Sequence, residues 1–262
     1  MHNSLYWVNY FTSNLKNKRI DWSIKPVLKN SEKSAIIKSL QAWQLGETSE
    51  GVNLVNAATK HAKQLDDEYY TAAIKLFIKE EQKHGENLGK YIDLIGAQRI
   101  KKNWGDSLFR KARGLNTHME FWTIAVITVE STAQLFYQCL KDATSCKLLK
   151  QICTDILIDE AAHINFQTER LSLLYNHKNA FMRFFTYYFY TIFYFCTTLV
   201  VWLAHKKLFK AGHLTFSNYW RKMKLKFQKT IKKIRVESLV DKNIVTDKKV
   251  DALNYVFENQ NQ

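Results

Sequence analysis

Two tetrads hold the side chains best suited to chemistry, Glu81-Gln82-Lys83-His84 and Glu160-Ala161-Ala162-His163. Both read Glu-x-x-His. Residues three apart share one face of a helix, so each tetrad can turn one carboxylate and one imidazole toward a single ion. One such match alone would be weak, because Glu and His meet often by chance. Further carboxylates strengthen it. Glu130 precedes Glu160, and Glu47 and Glu50 precede Glu81, by similar lengths of chain, with Glu50 the better match to the Glu130–Glu160 separation. Across a short turn between antiparallel helices, residues so separated stand at one height, about 20 Å from the loop at about 1.5 Å per residue. Each hairpin then brings one Glu opposite one Glu-x-x-His. Aligning the hairpins on Glu81 and Glu160 favours Glu50 as the partner of Glu130, with Glu47 as the second candidate. Carboxylate oxygens with imidazole nitrogens suit two iron ions, or manganese, and no thiolate is placed for a softer site.

The elements that must position these groups are long helices. One proline and eight glycines in 262 residues are too few for many hairpin turns. Residues 1–30, which include Pro26, read as an N-terminal arm lying on the bundle. Helix one is expected from Asn30 or Ser31, with Glu32 in its first turn, to about His61. Asp66 then caps helix two, which runs to about Ile95 and stops at Gly96. Residues 97–116 form a crossover with a short helix around Asp106–Arg113. Thr117 and Glu120 make a capping box for helix three, which ends near Asp142, and Ser145 opens helix four, to about Tyr175. Leu76, Phe77 and Leu88 flank Glu81, and Ile156, Leu157 and Ile164 flank Glu160, which turns these acids inward. Four acids buried together without a cation would be prohibitive.

The paired pattern resembles the ferritin-like di-iron and di-manganese carboxylate proteins. Asp159-Glu160-Ala161-Ala162-His163 is similar to the fourth-helix motif of ribonucleotide reductase small subunits and bacterial multicomponent monooxygenases. Gly46-Glu47 within Trp43-Gln44-Leu45-Gly46-Glu47 is closer to the first helix of rubrerythrin, and that comparison implies Glu47 as the ligand. The resemblance implies an all-α, antiparallel four-helix bundle over residues 31–176, with Glu47 or Glu50, Glu81, His84, Glu130, Glu160 and His163 as metal ligands. Tyr137 lies two turns beyond Glu130 on the same face; it can hydrogen-bond a ligand carboxylate or be oxidised, or simply be a buried tyrosine. Asp159 can support a histidine or stand as a solvated charge.

An aromatic apolar helix, residues 177–212, and a basic amphipathic helix and tail, residues 213–262, follow the bundle. The run from Phe184 to Ala204 carries no charge and is long enough to span a bilayer. The N-terminus lacks the pattern of a signal peptide, so the bundle is expected in the cytoplasm. A span would then put the basic segment outside, against the positive-inside bias. A helix packed on the bundle or on a second copy in a homodimer avoids this, as does one lying at the inner membrane face. The formal net charge is +15, and His205 to Arg235 holds 11 Lys or Arg and no acid. Trp220, Met223, Phe227, Ile231 and Ile234 line one face of the basic helix, a pattern for an anionic membrane surface or for docking on the bundle. No nucleic-acid fold signature accompanies the charge, which disfavours nucleic acid as the partner. Cys139, Cys146, Cys153 and Cys196 are expected to be buried thiols in a reducing compartment.

Three functions compete. The first is a di-metal oxidoreductase that activates dioxygen or peroxide on a small or lipophilic substrate, fed by an electron donor that the sequence does not identify. The second is an iron-binding or storage protein. The third is a membrane-associated interaction protein.

Overall fold

The computed structural model describes residues 1–105, 107, 118–176 and 178–236, and these residues are helical with no strand. The helices are α1 (Ser4–Asn14), α2 (Asn30–Glu47), α3 (Val52–Leu65), α4 (Tyr70–Leu94), α5 (Met119–Asp142), α6 (Lys147–Asn176), α7 (Ala180–Ala211) and α8 (residues 216–236). The α2–α3 segment pairs with α4, and α5 pairs with α6. The two hairpins meet through α4 against α6 and α3 against α5, while α1 lies on α4 and α7 lies on α5 and α2.

The apolar core falls into two parts, and the order of residues along the helices shows why. On α4, Tyr70, Ile74 and Phe77 join one cluster, and Leu88, Tyr91 and Ile92 join the other. On α6, Ile152 and Ile156 lie on one side and Ala162 and Phe166 on the other, before Leu171 and Tyr175 rejoin the cluster of Ile152 and Ile156. Between them, on both helices, come the buried acids and histidines Glu80, His84, Asp159, Glu160 and His163. A polar layer therefore crosses the middle of the bundle.

Three expectations, on helix one, Asp66 and Cys196, need correction. Helix one is not continuous: α2 ends at Glu47, and α3 starts after Gly51, whose φ of 66° lies in the left-handed region. A run of helix cannot pass through that conformation, which glycine adopts without penalty. Asp66 closes α3 at φ 53° instead of opening α4, and the Asp67 carboxylate accepts the Tyr70 amide at 3.1 Å. The N-terminal arm contains a helix, α1, whose Asn3 side chain accepts the Tyr6 amide at 2.9 Å. Cys196 is exposed, whereas Cys139, Cys146 and Cys153 are buried.

The short helix at Asp106–Arg113 lies outside the described residues apart from Ser107, as do Thr117 and the tail beyond 236. Glu120, the other half of the expected capping box, accepts the Tyr190 hydroxyl and pairs with Lys178 at 3.0 Å.

The α2–α3 break makes a sharp prediction. A Cβ on Gly51 would stand 2.6 Å from Ile78 Cδ1, on a backbone that already disfavours L side chains. Gly51→Ala should cost roughly 1–3 kcal/mol by denaturant titration. Gly46, inside α2 with nothing within 4 Å of an added Cβ, should respond to alanine with the opposite sign, a gain of roughly 0.5–1 kcal/mol.

Candidate metal centre

The polar layer brings side chains from α2, α4, α5 and α6 to one place. Ligand atoms of Glu47, Glu81, His84 and Glu160 lie within 4.8 Å of one another, and so do those of Glu81, Glu130, Glu160 and His163. The two groups share Glu81 and Glu160. Glu50 is exposed in the break between α2 and α3 and belongs to neither group. Of the two helix-one candidates, the structure brings in Glu47 and leaves Glu50 outside. Gly85 helps: a Cβ there would stand 3.2 Å from the Glu47 backbone, so glycine lets the end of α2 come up against α4.

Each imidazole is held from behind by an acid of the opposite helix. Glu80 of α4 meets His163 Nε2 at 2.8 Å, and Asp159 of α6 meets His84 Nε2 at 3.1 Å. That turns both Nδ1 atoms inward. His84 Nδ1, His163 Nδ1, Glu81 Oε1 and both Glu160 oxygens are buried without a hydrogen-bond partner. His163 Nδ1 lies 2.9 Å from Glu81 Oε1, an ion pair in the metal-free protein. Buried polar atoms are almost always hydrogen-bonded, so five such atoms brought close together without hydrogen bonds fit a site for cations.

A support layer surrounds the acids. The Asn14 amide of α1 donates to Glu80 at 2.7 Å and to Asp159 at 2.8 Å. Arg19 donates to Asp155 at 2.6 Å and Asp159 at 2.8 Å, and Lys83 reaches Asp159 at 3.1 Å. Burial opposes ionisation of Asp159, but hydrogen bonding to His84, with Asn14 and Lys83, holds its pKa well below the ordinary carboxyl range. On the other flank, Tyr137 and the Trp43 indole each donate to Glu47 Oε1 at 2.8 Å. The Tyr137 hydroxyl therefore has a carboxylate partner in the layer.

The electrostatics are those of crowded acids. Burial first, and then the charges of neighbouring carboxylates, raise the pKa of Glu47 and of Glu130 well above normal. Burial also resists the charge of Glu81, but His163 outweighs it and brings that carboxyl down to about 2. Burial lowers both histidines, yet His84 and His163 end above their ordinary value because of the acids around them: Asp159 for the first, Glu81 for the second.

A cavity of about 590 Å³ opens onto one side of this layer. Glu47, Glu81 and Glu130 form its polar end, and Ile78, Trp122, Val126, Val129 and Val201 line its apolar wall. His84, His163 and Glu160 do not line the cavity. The cavity runs to the α2–α3 break and to α7, where His205 interrupts the helix at φ −118°. Burial lowers the pKa of His205 to about 4, so it is neutral at physiological pH.

Sequence reasoning missed Glu80, Asn14 and Arg19. A signal for Glu80 was present: both motifs begin with two acids, Glu80-Glu81 and Asp159-Glu160, and the first acid of each pair stands one helical turn before a histidine.

This is a ferritin-like helical bundle with a carboxylate and histidine centre that could bind two metal ions. Its fold is that of the R2-like ligand-binding oxidases, which resemble the small subunit of ribonucleotide reductase. A single-site variant of such an oxidase with an aerobically reconstituted Mn/Fe cofactor matches 88% of this chain and 94% of its own, at TM-score 0.67 and 16% identity. An R2-like ligand-binding oxidase with an aerobically reconstituted Mn/Fe cofactor after a long soak matches 90% and 92%, at TM-score 0.61 and 17% identity. No protein-family model matches the sequence, and no curated protein matches it.

Proposed function

We propose that the protein is a di-metal carboxylate oxidase that uses dioxygen or peroxide to oxidise an organic substrate held in the cavity. The observation that carries this is the set of buried Nδ1 and carboxylate atoms, clustered without hydrogen-bond partners, beside an apolar cavity. Glu47, Glu81, His84 and Glu160 would hold one ion, and Glu81, Glu130, Glu160 and His163 the other. The donor set suits iron or manganese, and the Mn/Fe cofactor of the fold neighbours supports the same choice. Two such ions, when bound, supply electrons to dioxygen or peroxide.

The chain's own residues do the rest. Glu80 and Asp159 fix which imidazole nitrogen faces inward. Tyr137 and Trp43 hold one oxygen of Glu47 and leave the other to turn toward the centre. The valine and isoleucine wall favours a lipophilic substrate.

The test is elemental analysis with anomalous diffraction on protein from iron- and manganese-replete cells, followed by dioxygen uptake of the reduced, loaded protein. Two ions per chain at the named residues, with uptake stoichiometric in metal, is the expected result. A metal-free protein, or assembly into a large storage shell on gel filtration, would overturn the oxidase reading.

A further inference from the structure

Helix α7 is apolar on all sides, but its two sides have different fates. One side is packed: Tyr190, Tyr194, Val201, Trp202, Leu208 and Phe209 are buried against the bundle and α8. At its end, Gly212 comes so close to α5 that a Cβ would stand 2.6 Å from the Cys139 carbonyl oxygen. The other side faces out. Phe181, Phe185, Tyr188, Ile192, Cys196, Leu199 and Leu203 recur at steps of three and four and are all exposed, Phe181 by 73% and Ile192 by 63%. They form one stripe about 33 Å long at about 1.5 Å per residue. Phe184 and Phe189 widen it, also exposed. A soluble protein rarely leaves so continuous an apolar patch bare.

Charge says what covers it. The stripe continues into Lys206 and Lys210, both exposed, and α7 contains no acidic residue. Alongside, α8 packs Tyr219, Met223, Phe227 and Ile234 inward and exposes Arg221, Lys222, Lys224, Lys229 and Lys232. The Arg235 guanidinium lies 5.5 Å from the Tyr187 ring, which adjoins stripe residue Tyr188, so the basic helix borders the stripe. A second copy's α7 and α8, which hold no acidic residue, would offer this strip no counter-charge.

We propose that α7 seats the protein on an anionic membrane, with its outward stripe sunk in the headgroup layer and the α8 cations on the lipid phosphates. The helix lies in the surface and does not cross it, because crossing would strip its packed side from the core. Apolar contact plus attraction to anionic lipid is the energetic basis of such binding. The surface is separate from the metal centre, and the inference does not depend on that reading.

Cys196 supplies the probe. It is the exposed one of the four cysteines and sits in mid-stripe, so an environment-sensitive thiol dye can be placed on the unmutated chain. With vesicles containing about one-third phosphatidylglycerol, the dye should shift to the blue, and partition should exceed that to pure phosphatidylcholine by about tenfold or more and fall with salt. In flotation of the unlabelled chain, Phe185→Glu with Ile192→Glu should abolish binding, and Lys224→Glu with Lys232→Glu should weaken it about tenfold. Metal content and thermal midpoint of both variants should match wild type, which shows that the fold is kept. Absence of vesicle binding by the wild type, or variants that bind as it does, would overturn the proposal. So would a dimer on gel filtration that the stripe variant dissociates.

Discussion

Glu160→Ala should leave the protein folded but unable to hold either metal ion. Both Glu160 oxygens are buried without a hydrogen-bond partner, and the residue belongs to both ligand groups. Its loss reduces each group to three side chains. It also reduces four carboxylate charges to three, where two divalent ions need four to be neutralised. Removing a partner one shell further out commonly costs about 10–100-fold in metal affinity, so loss of a shared carboxylate should exceed about a hundredfold. Elemental analysis of protein from metal-replete cells should find two ions per chain in wild type and a trace in the variant. Glu50→Ala, at the exposed position, should keep both. The metal-free variant adds a second reading. It lacks one of several mutually repelling buried acids, so its thermal midpoint should equal or exceed that of metal-free wild type. A variant that instead loses metal because it fails to fold would show a lower midpoint.

The stabilisation given by metal should grow as pH rises. In the metal-free protein Glu47 and Glu130 have raised pKa values. The folded state therefore keeps protons that the unfolded chain loses above a pH of about 4.5, and stability falls as pH climbs from there toward the raised values. His84 and His163, also raised, act in the same direction. Their contribution is full below about pH 6.5 and is lost as pH rises through the folded values. Glu81 and Asp159 are lowered, and their contribution is lost only as pH falls below the ordinary carboxyl range. Between about pH 5 and 9 the metal-free protein should thus weaken steadily. Metal ions displace the same protons, so the metal-induced gain should increase by about 1.4 kcal/mol per pH unit for each proton displaced. Thermal scans of metal-free and loaded protein across this range check it, with proton release on loading as an independent measure. A metal-induced gain that shrinks with pH would contradict the charge arrangement described above.

The two Glu-x-x-His motifs and the helical bundle were legible because they rest on local periodicity. Glu81, His84, Glu160 and His163 each sit on a long uninterrupted helix, and there spacing in sequence measures distance in space. The same measure fails for helix one. The Thr48–Gly51 break and the turn at Asp66 insert residues that add no helical rise. Glu47, the farther of the two candidates from Glu81 along the chain, therefore reaches the layer, and Glu50 does not. Gly51 was the available warning. The motif-based comparison through Gly46-Glu47 was insensitive to this error because it compares local sequence and does not count across the turn. Asn14 and Arg19 were not legible. Their partners lie far along the chain, on α4 and α6, and nothing local in α1 marks an asparagine as a brace. Periodicity was also silent on Cys196, because an all-apolar helix does not reveal which side its neighbours will cover.

The double donation by Asn14 has a thermodynamic consequence. Its one amide group ties together Glu80 and Asp159, and these are the acids that orient the imidazole of each ligand group. The two ligand groups therefore share a mechanical pivot on α1 as well as Glu81 and Glu160. With one group filled, Asn14 would be held by the acid behind that imidazole and would in turn hold the acid behind the other. Filling should be steep in metal concentration, with the singly loaded form scarce, so that the centre passes between empty and full nearly as a single event.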